Sequence, residues 1–174
     1  MPKFSVAFCF ALLLSAPAFA AGSDSGSAPA APKCEEGKVY DTKTKKCVDA
    51  ESNLINDDDR YGTVRALAYA GKYDRAMLVI ASADNPRDPR MLNYRGFIAR
   101  KQGDIATAMG FYNAALRIDP DYHLARSYMG QGLIAEGDIV AALGQLREIE
   151  ARGGKGSWPH KALEQALRGL PTDY

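Results

Sequence analysis

From Asn56 onward, apolar residues fall on one side of a helical period. Ile105, Ala108, Met109, Tyr112, Ala115 and Leu116 are spaced i, +3, +4, +7, +10 and +11, one continuous face. Ile139, Ala142, Leu143, Leu146 and Ile149 repeat that spacing, and Tyr73, Ala76, Met77, Ile80 and Ala83 give it a third time. Each of these helices starts just after a glycine (Gly71, Gly103, Gly137) and follows another helical stretch, over 57–70, 89–102 and 122–136. The pattern predicts three helix–turn–helix pairs. After them Gly153 and Gly154 stop a helix, and Ser157 and Pro159 restart one whose apolar face is Ala162, Leu163, Ala166, Leu167 and Leu170. This seventh helix, over 158–169 and anchored by Trp158, is expected to cover the open end of the stack.

Ahead of the helices the reading changes. "CEEGKVYDTKTKKCV" combines Gly37, the Val39/Tyr40 pair and a polar turn, which predicts two short strands within 34–50. Residues 21–33 are almost wholly Ala, Gly, Ser and Pro, a composition too poor in apolar surface to order itself. Lys3, the apolar run Phe4 to Leu14 and Ala18-Phe19-Ala20 have the form of a secretory signal peptide over 1–20, cleaved near Ala20. Export to an oxidising compartment leaves Cys34 and Cys47 only each other, so a disulfide between them is expected, contributing roughly 3 kcal/mol in the chain-entropy model.

The interval between the pairs is nearly fixed. Gly103, Asp104, Ile105, Ala108 and Gly110 return 34 residues later as Gly137, Asp138, Ile139, Ala142 and Gly144, while Gly71 to Gly103 is 32. Helix pairs at this period resemble the tetratricopeptide repeat family. Gly96, Ala99, Gly103, Ala108, Tyr112, Ala115 and Pro120 fall where its motif asks for small, aromatic or proline residues. The third unit keeps Gly130, Gly137 and Ala142 but has Ile149 and Gly154 for the late alanine and the proline. The first keeps Gly71, Ala76 and Ala83, with Val64 for a glycine. The resemblance implies an all-α solenoid of repeats at about 57–88, 89–122 and 123–156 within a domain over 51–170. Small residues are expected where helices cross, Gly96 facing Ala108 and Gly130 facing Ala142, with Ala115 between the second and third units. Tyr94 and Tyr112 fill the wider gaps.

Charge narrows the partners. Of 22 basic residues Lys3 would leave with the leader, so 21 remain against 21 acidic ones. That balance gives no general attraction to nucleic acid or to an anionic membrane surface, and no membrane insertion is expected once the leader is cut. "RGGKGS" at 152–157 has its lysine before the last glycine and helical flanks, so it reads as a helix-breaking loop rather than a phosphate loop. "NDDDR" at 56–60 lacks the alternating acids and mid-loop glycine of a calcium loop. It reads as a helix start capped by Asn56, with acids facing the dipole. His123, read as solvated, and His160 have no ligand-like spacing. No nucleophilic triad is recognisable, and no metal or cofactor is implied.

What remains is a surface. The resemblance implies that the first helix of each pair lines a concave groove. Its exposed positions would be Tyr61, Arg65 and Tyr69, then Asn93, Phe97, Arg100 and Lys101, then Ser127, Gln131 and Ile134. Aromatics beside arginines suit an extended peptide. Tyr94, Leu124 and Tyr128 stand where relatives that clamp a C-terminal carboxylate carry lysine and asparagine, so that specificity is not carried over. The expected function is a non-catalytic scaffold in the periplasm or outside the cell, holding a protein or peptide for envelope assembly, secretion or maintenance. The alternatives are a self-associating structural protein, hence a homo-oligomer, and a thiol-redox or wall-directed enzyme centred on Cys34 and Cys47.

Overall fold

The structure, a computed structural model, describes residues 34–172; the expected leader and linker lie outside the described residues. Strands β1 (Lys38–Asp41) and β2 (Lys46–Asp49) pair antiparallel with Val39 opposite Val48 and Tyr40 opposite Cys47. Asp41 shapes the turn: its carboxylate accepts the Lys43 N–H at 2.9 Å and the Thr44 hydroxyl. Those two bonds, Thr44 first, hold its carboxyl below the ordinary pKa. The expected Cys34–Cys47 bridge is formed, with Cα atoms 5.6 Å apart.

The hairpin docks on the helices. Val39 is fully buried and shares one apolar cluster with Ala50, Ile55, Val64 and Ala68. Arg60 fastens the junction: 1% exposed, it donates to the Ala50 and Ser52 carbonyls at 3.1 and 3.3 Å, to Asp57 at 3.0 Å and to Asp84 at 2.8 Å. A buried guanidinium is tolerated only when its donors are met, and here four acceptors from three segments meet them. Arg75 adds a bond to the Cys34 carbonyl at 3.1 Å.

Seven helices follow among the described residues: α1 (Asp57–Tyr69), α2 (Tyr73–Ala81), α3 (Pro89–Lys101), α4 (Ile105–Ile118), α5 (His123–Ala135), α6 (Ile139–Ala151) and α7 (Trp158–Leu167). Their limits follow from capping. Asn56 caps α1 through the Asp59 N–H, and Asp88, Asp104, Asp138 and Ser157 cap α3, α4, α6 and α7. The recurring Gly-Asp has a local cause: Gly103 and Gly137 take φ of +88° and +81°, and the next residue caps the following helix. Gly71 is left-handed too, but Lys72 after it supplies no side-chain cap.

Short turns fold α1 onto α2, α3 onto α4 and α5 onto α6; α3 lies against both α1 and α5, and α7 against α5 and α6. Ala115 packs with Ala125 of α5, between the second and third pairs as expected. Two expected crossings are corrected. Gly96 lies under Tyr112 rather than Ala108, since a Cβ there would come 2.6 Å from the ring, and Gly130 meets Leu163 of α7 rather than Ala142. A glycine marks a close approach without naming what approaches, and at both sites a large side chain fills the gap. The apolar faces are also covered less fully than expected. Met77, Ile139 and Leu143 stay 37%, 44% and 37% exposed, because no further layer packs over those parts of α2 and α6. "RGGKGS" is a helix-breaking loop: Gly153 ends α6 with φ +81°, and Ser157 caps α7.

Candidate functional site

One residue from each first-in-pair helix builds an aromatic row. Tyr69 of α1 stands edge-on to Phe97 of α3, ring centres 5.6 Å apart, and Tyr128 of α5 lies 5.0 Å beyond. The Tyr69 and Tyr128 hydroxyls are 2.7 Å apart. Tyr94 extends the cluster to Tyr61 at 5.8 Å, and Tyr112 lies 6.4 Å from Tyr128. Such tilted contacts suit the ring quadrupoles. Burial pushes the Tyr112 phenol up to about 12, against the opposing pull of Arg100, and raises Tyr94 well above its ordinary value.

Cations lie on the row. The Arg100 guanidinium is 5.5 Å from the Phe97 ring centre and 5.6 Å from that of Tyr128, and the Lys101 ammonium is 5.5 Å from Phe97. Arg65 stacks on Tyr69 at 5.7 Å. Each contact is within the range where a cation is drawn to a ring face, worth about 0.5–2 kcal/mol. Among the described residues, no carboxylate oxygen lies within 4.0 Å of the Arg100 or Lys101 side-chain nitrogens. Nε and Nη2 of Arg100 are buried and have no hydrogen-bond acceptor among the described residues. Burial, then the neighbouring Arg100 charge, lowers the Lys101 pKa.

The structure brings Arg65, Tyr69, Phe97, Arg100 and Lys101 together, and it corrects their expected exposure. Asn93 and Ser127 are fully buried, Phe97 is 1% exposed and Gln131 8%. Tyr61, Arg65, Tyr69, Arg100 and Ile134 are half-buried, and Lys101 is exposed. The reason is packing: α3 lies between α1 and α5, and large rings occupy the space, so the expected lining is partly a floor. Tyr61 belongs to the edge of the cluster, beneath Arg90 at 4.9 Å. Tyr128, fully buried, belongs to that floor and is not among the residues expected at the groove. Its signal was available, since Tyr94 and Tyr128 stand 34 residues apart, each two before a buried glycine. Asn93 keeps both amide atoms buried without a partner.

A cleft of about 1250 Å³ opens elsewhere, where α3, α5 and α7 begin, lined by Arg90, His123, Arg152 and Trp158 among others. Its arginines are already neutralised: Arg90 by Asp88 and Asp58, each at 2.7 Å, and Arg152 by Asp121 at 2.8 Å and Glu148 at 3.0 Å. His123 is half-buried there rather than solvated; burial lowers its pKa, and Gly154 packs beneath its ring. His160 is buried, 3.0 Å from Glu150. Among the described residues no three His, Cys, Asp or Glu side chains converge as a metal site would require, and no helix is long and apolar enough to cross a membrane. Comparison with family models, with curated proteins and with solved structures finds no match to this chain.

Proposed function

We propose that this chain is an exported, non-catalytic member of the tetratricopeptide repeat type, in which α1, α3 and α5 form the inner side of a short solenoid. The groove along that side holds a partner protein or an extended peptide during envelope assembly, secretion or maintenance in the periplasm. The hairpin caps one end and α7 the other. The observation that carries this reading is the row Tyr69–Phe97–Tyr128, one ring per pair, with Arg100 and Lys101 stacked on it. Phe97 and Tyr128 are its buried floor, and Tyr69, Arg100 and Lys101 are the parts that reach the surface, where tyrosine and arginine are enriched in binding hot spots.

The test is a photo-crosslinking residue placed at Gln102, the exposed cap residue beside Lys101, in the full chain, with Val140 of α6, 82% exposed, as the outer-face comparison. A discrete crosslinked product from Gln102 and none from Val140 supports the groove. Equal labelling at the two positions, or none at either, removes it.

A second reading rests on Ile139, Val140 and Leu143, an exposed apolar patch on α6. Self-association through that patch would make the chain structural rather than receptive. Sedimentation equilibrium separates the two readings: a dimer abolished by Val140→Glu favours the patch, and a monomer at all concentrations removes it.

A further inference from the structure

Resting on the groove reading above, we propose that the segment held there is acidic. A side-chain carboxylate of the partner polypeptide would sit at the C-terminal end of α3, against Arg100 and Lys101.

Three arginines outside the aromatic row are paired with carboxylates of the chain. Arg60 has Asp57 and Asp84, Arg90 has Asp88 and Asp58, and Arg152 has Asp121 and Glu148. Arg100 and Lys101 are adjacent and share the Phe97 ring, and neither has a carboxylate partner among the described residues. Stacking on Phe97 and Tyr128 fixes the guanidinium without cancelling its charge. Two like charges held side by side, one of them partly desolvated, raise the energy of the empty protein. A carboxylate relieves that repulsion, and it forms charge-assisted bonds to a cation whose position is already set.

The same surface argues for a polypeptide rather than a polyanion. Asp104 follows Lys101 by three residues, and Glu136 and Asp138 sit at the next equivalent turn, all exposed. A nucleic acid strand or an anionic lipid face carries charge at every repeat and would meet these acids; a peptide can place a carboxylate at one point. Balanced overall charge adds no long-range pull on a polyanion.

The experiment measures fluorescence anisotropy on the exported protein with its bridge intact. The probes are a labelled decapeptide of alternating glutamate and leucine, its glutamine counterpart, and a decamer of oligothymidine. The expected result is at least tenfold tighter binding of the glutamate peptide than of the glutamine peptide, a gap that narrows as salt rises. Lys101→Glu weakens the glutamate peptide at least tenfold, whereas Lys155→Glu, an equal charge change on an exposed loop, alters it less than twofold. A thermal melt of each variant confirms that the fold is intact. The acidic proposal is overturned by equal binding of the two peptides, by oligothymidine binding as tightly, by no binding of the glutamate peptide, or by equal effects of the two substitutions. If the Gln102 crosslink survives such a result, the groove stands without its acidic preference; if the crosslink is absent too, both fall.

Discussion

The phenols of Tyr69 and Tyr128 meet at 2.7 Å although 59 residues separate them in sequence. The bond joins the first helix of the first pair to the first helix of the third, with Phe97 of α3 packed against both rings. It therefore reports directly on the stacking of the pairs. Tyr69→Phe and Tyr128→Phe are each expected to cost about 0.5–1.5 kcal/mol in urea unfolding. The double variant should cost less than the two singles together, because neither hydroxyl is then left without the other. Strict additivity would show that the stack does not depend on this bond.

Two glycines in helices should respond in opposite directions to alanine. A Cβ at Gly96 would come 2.6 Å from Cε1 of Tyr112, a fully buried ring, so Gly96→Ala is expected to destabilise by about 1–3 kcal/mol. Gly62 in α1 has nothing within 4 Å of an added Cβ, so Gly62→Ala should stabilise by about 0.5–1 kcal/mol through helix propensity. Thermal melts of the two variants decide it, and a shift of the same sign in both would contradict the packing described.

Asp57 gives the fold an acid-sensitive fastening. Burial works to raise its carboxyl. The N–H groups of Asn85 and Asp84, with the Arg60 guanidinium, outweigh burial and hold the pKa below the ordinary carboxylate value of about 3.9. A depressed folded-state pKa contributes stability that is complete above the unfolded value and is lost as pH falls through the folded one. Asp57→Asn should therefore be less stable than the parent at pH 7, with the gap closing below about pH 4. Urea midpoints at pH 7, 4 and 3 measure it. A gap that stays constant with pH would assign the effect to something other than this carboxylate.

Asn93 is fully buried with neither amide atom partnered, an arrangement that costs stability and is expected to serve something other than the fold. Asn93→Leu should raise stability by about 1–2 kcal/mol and at the same time weaken binding of the glutamate peptide at least threefold. A thermal melt paired with the anisotropy titration shows whether the two effects separate. A loss of stability instead would mean that the amide supports the core.

Local chemistry made much of this fold legible. The turns after α1, α3 and α5 rest on left-handed glycines, and Asp104 and Asp138 announce the helices that follow, so helix limits could be placed within a residue or two. The Cys34–Cys47 bridge could be anticipated because Cys9, in the segment read as a leader, is the only other cysteine of the sequence. Relations between distant segments were not legible. "NDDDR" reads as a capped helix start, which it is, but the role of Arg60 depends on Asp84 and on carbonyls of the hairpin exit. Position on the helix alone points to the expected groove residues. Whether a ring at such a position faces solvent or its neighbour depends on how closely α1, α3 and α5 approach, and that is why Asn93 and Phe97 were expected outside and are found inside.

The proposed function places a partner on the basic, aromatic side of α1, α3 and α5. Its most direct measurement is a pull-down from the native compartment with the parent chain and with the double variant Arg100→Glu/Lys101→Glu, each checked for an unchanged melt. The expected result is a partner retained by the parent and lost by the variant. A partner that stays fully bound to the variant would contradict it.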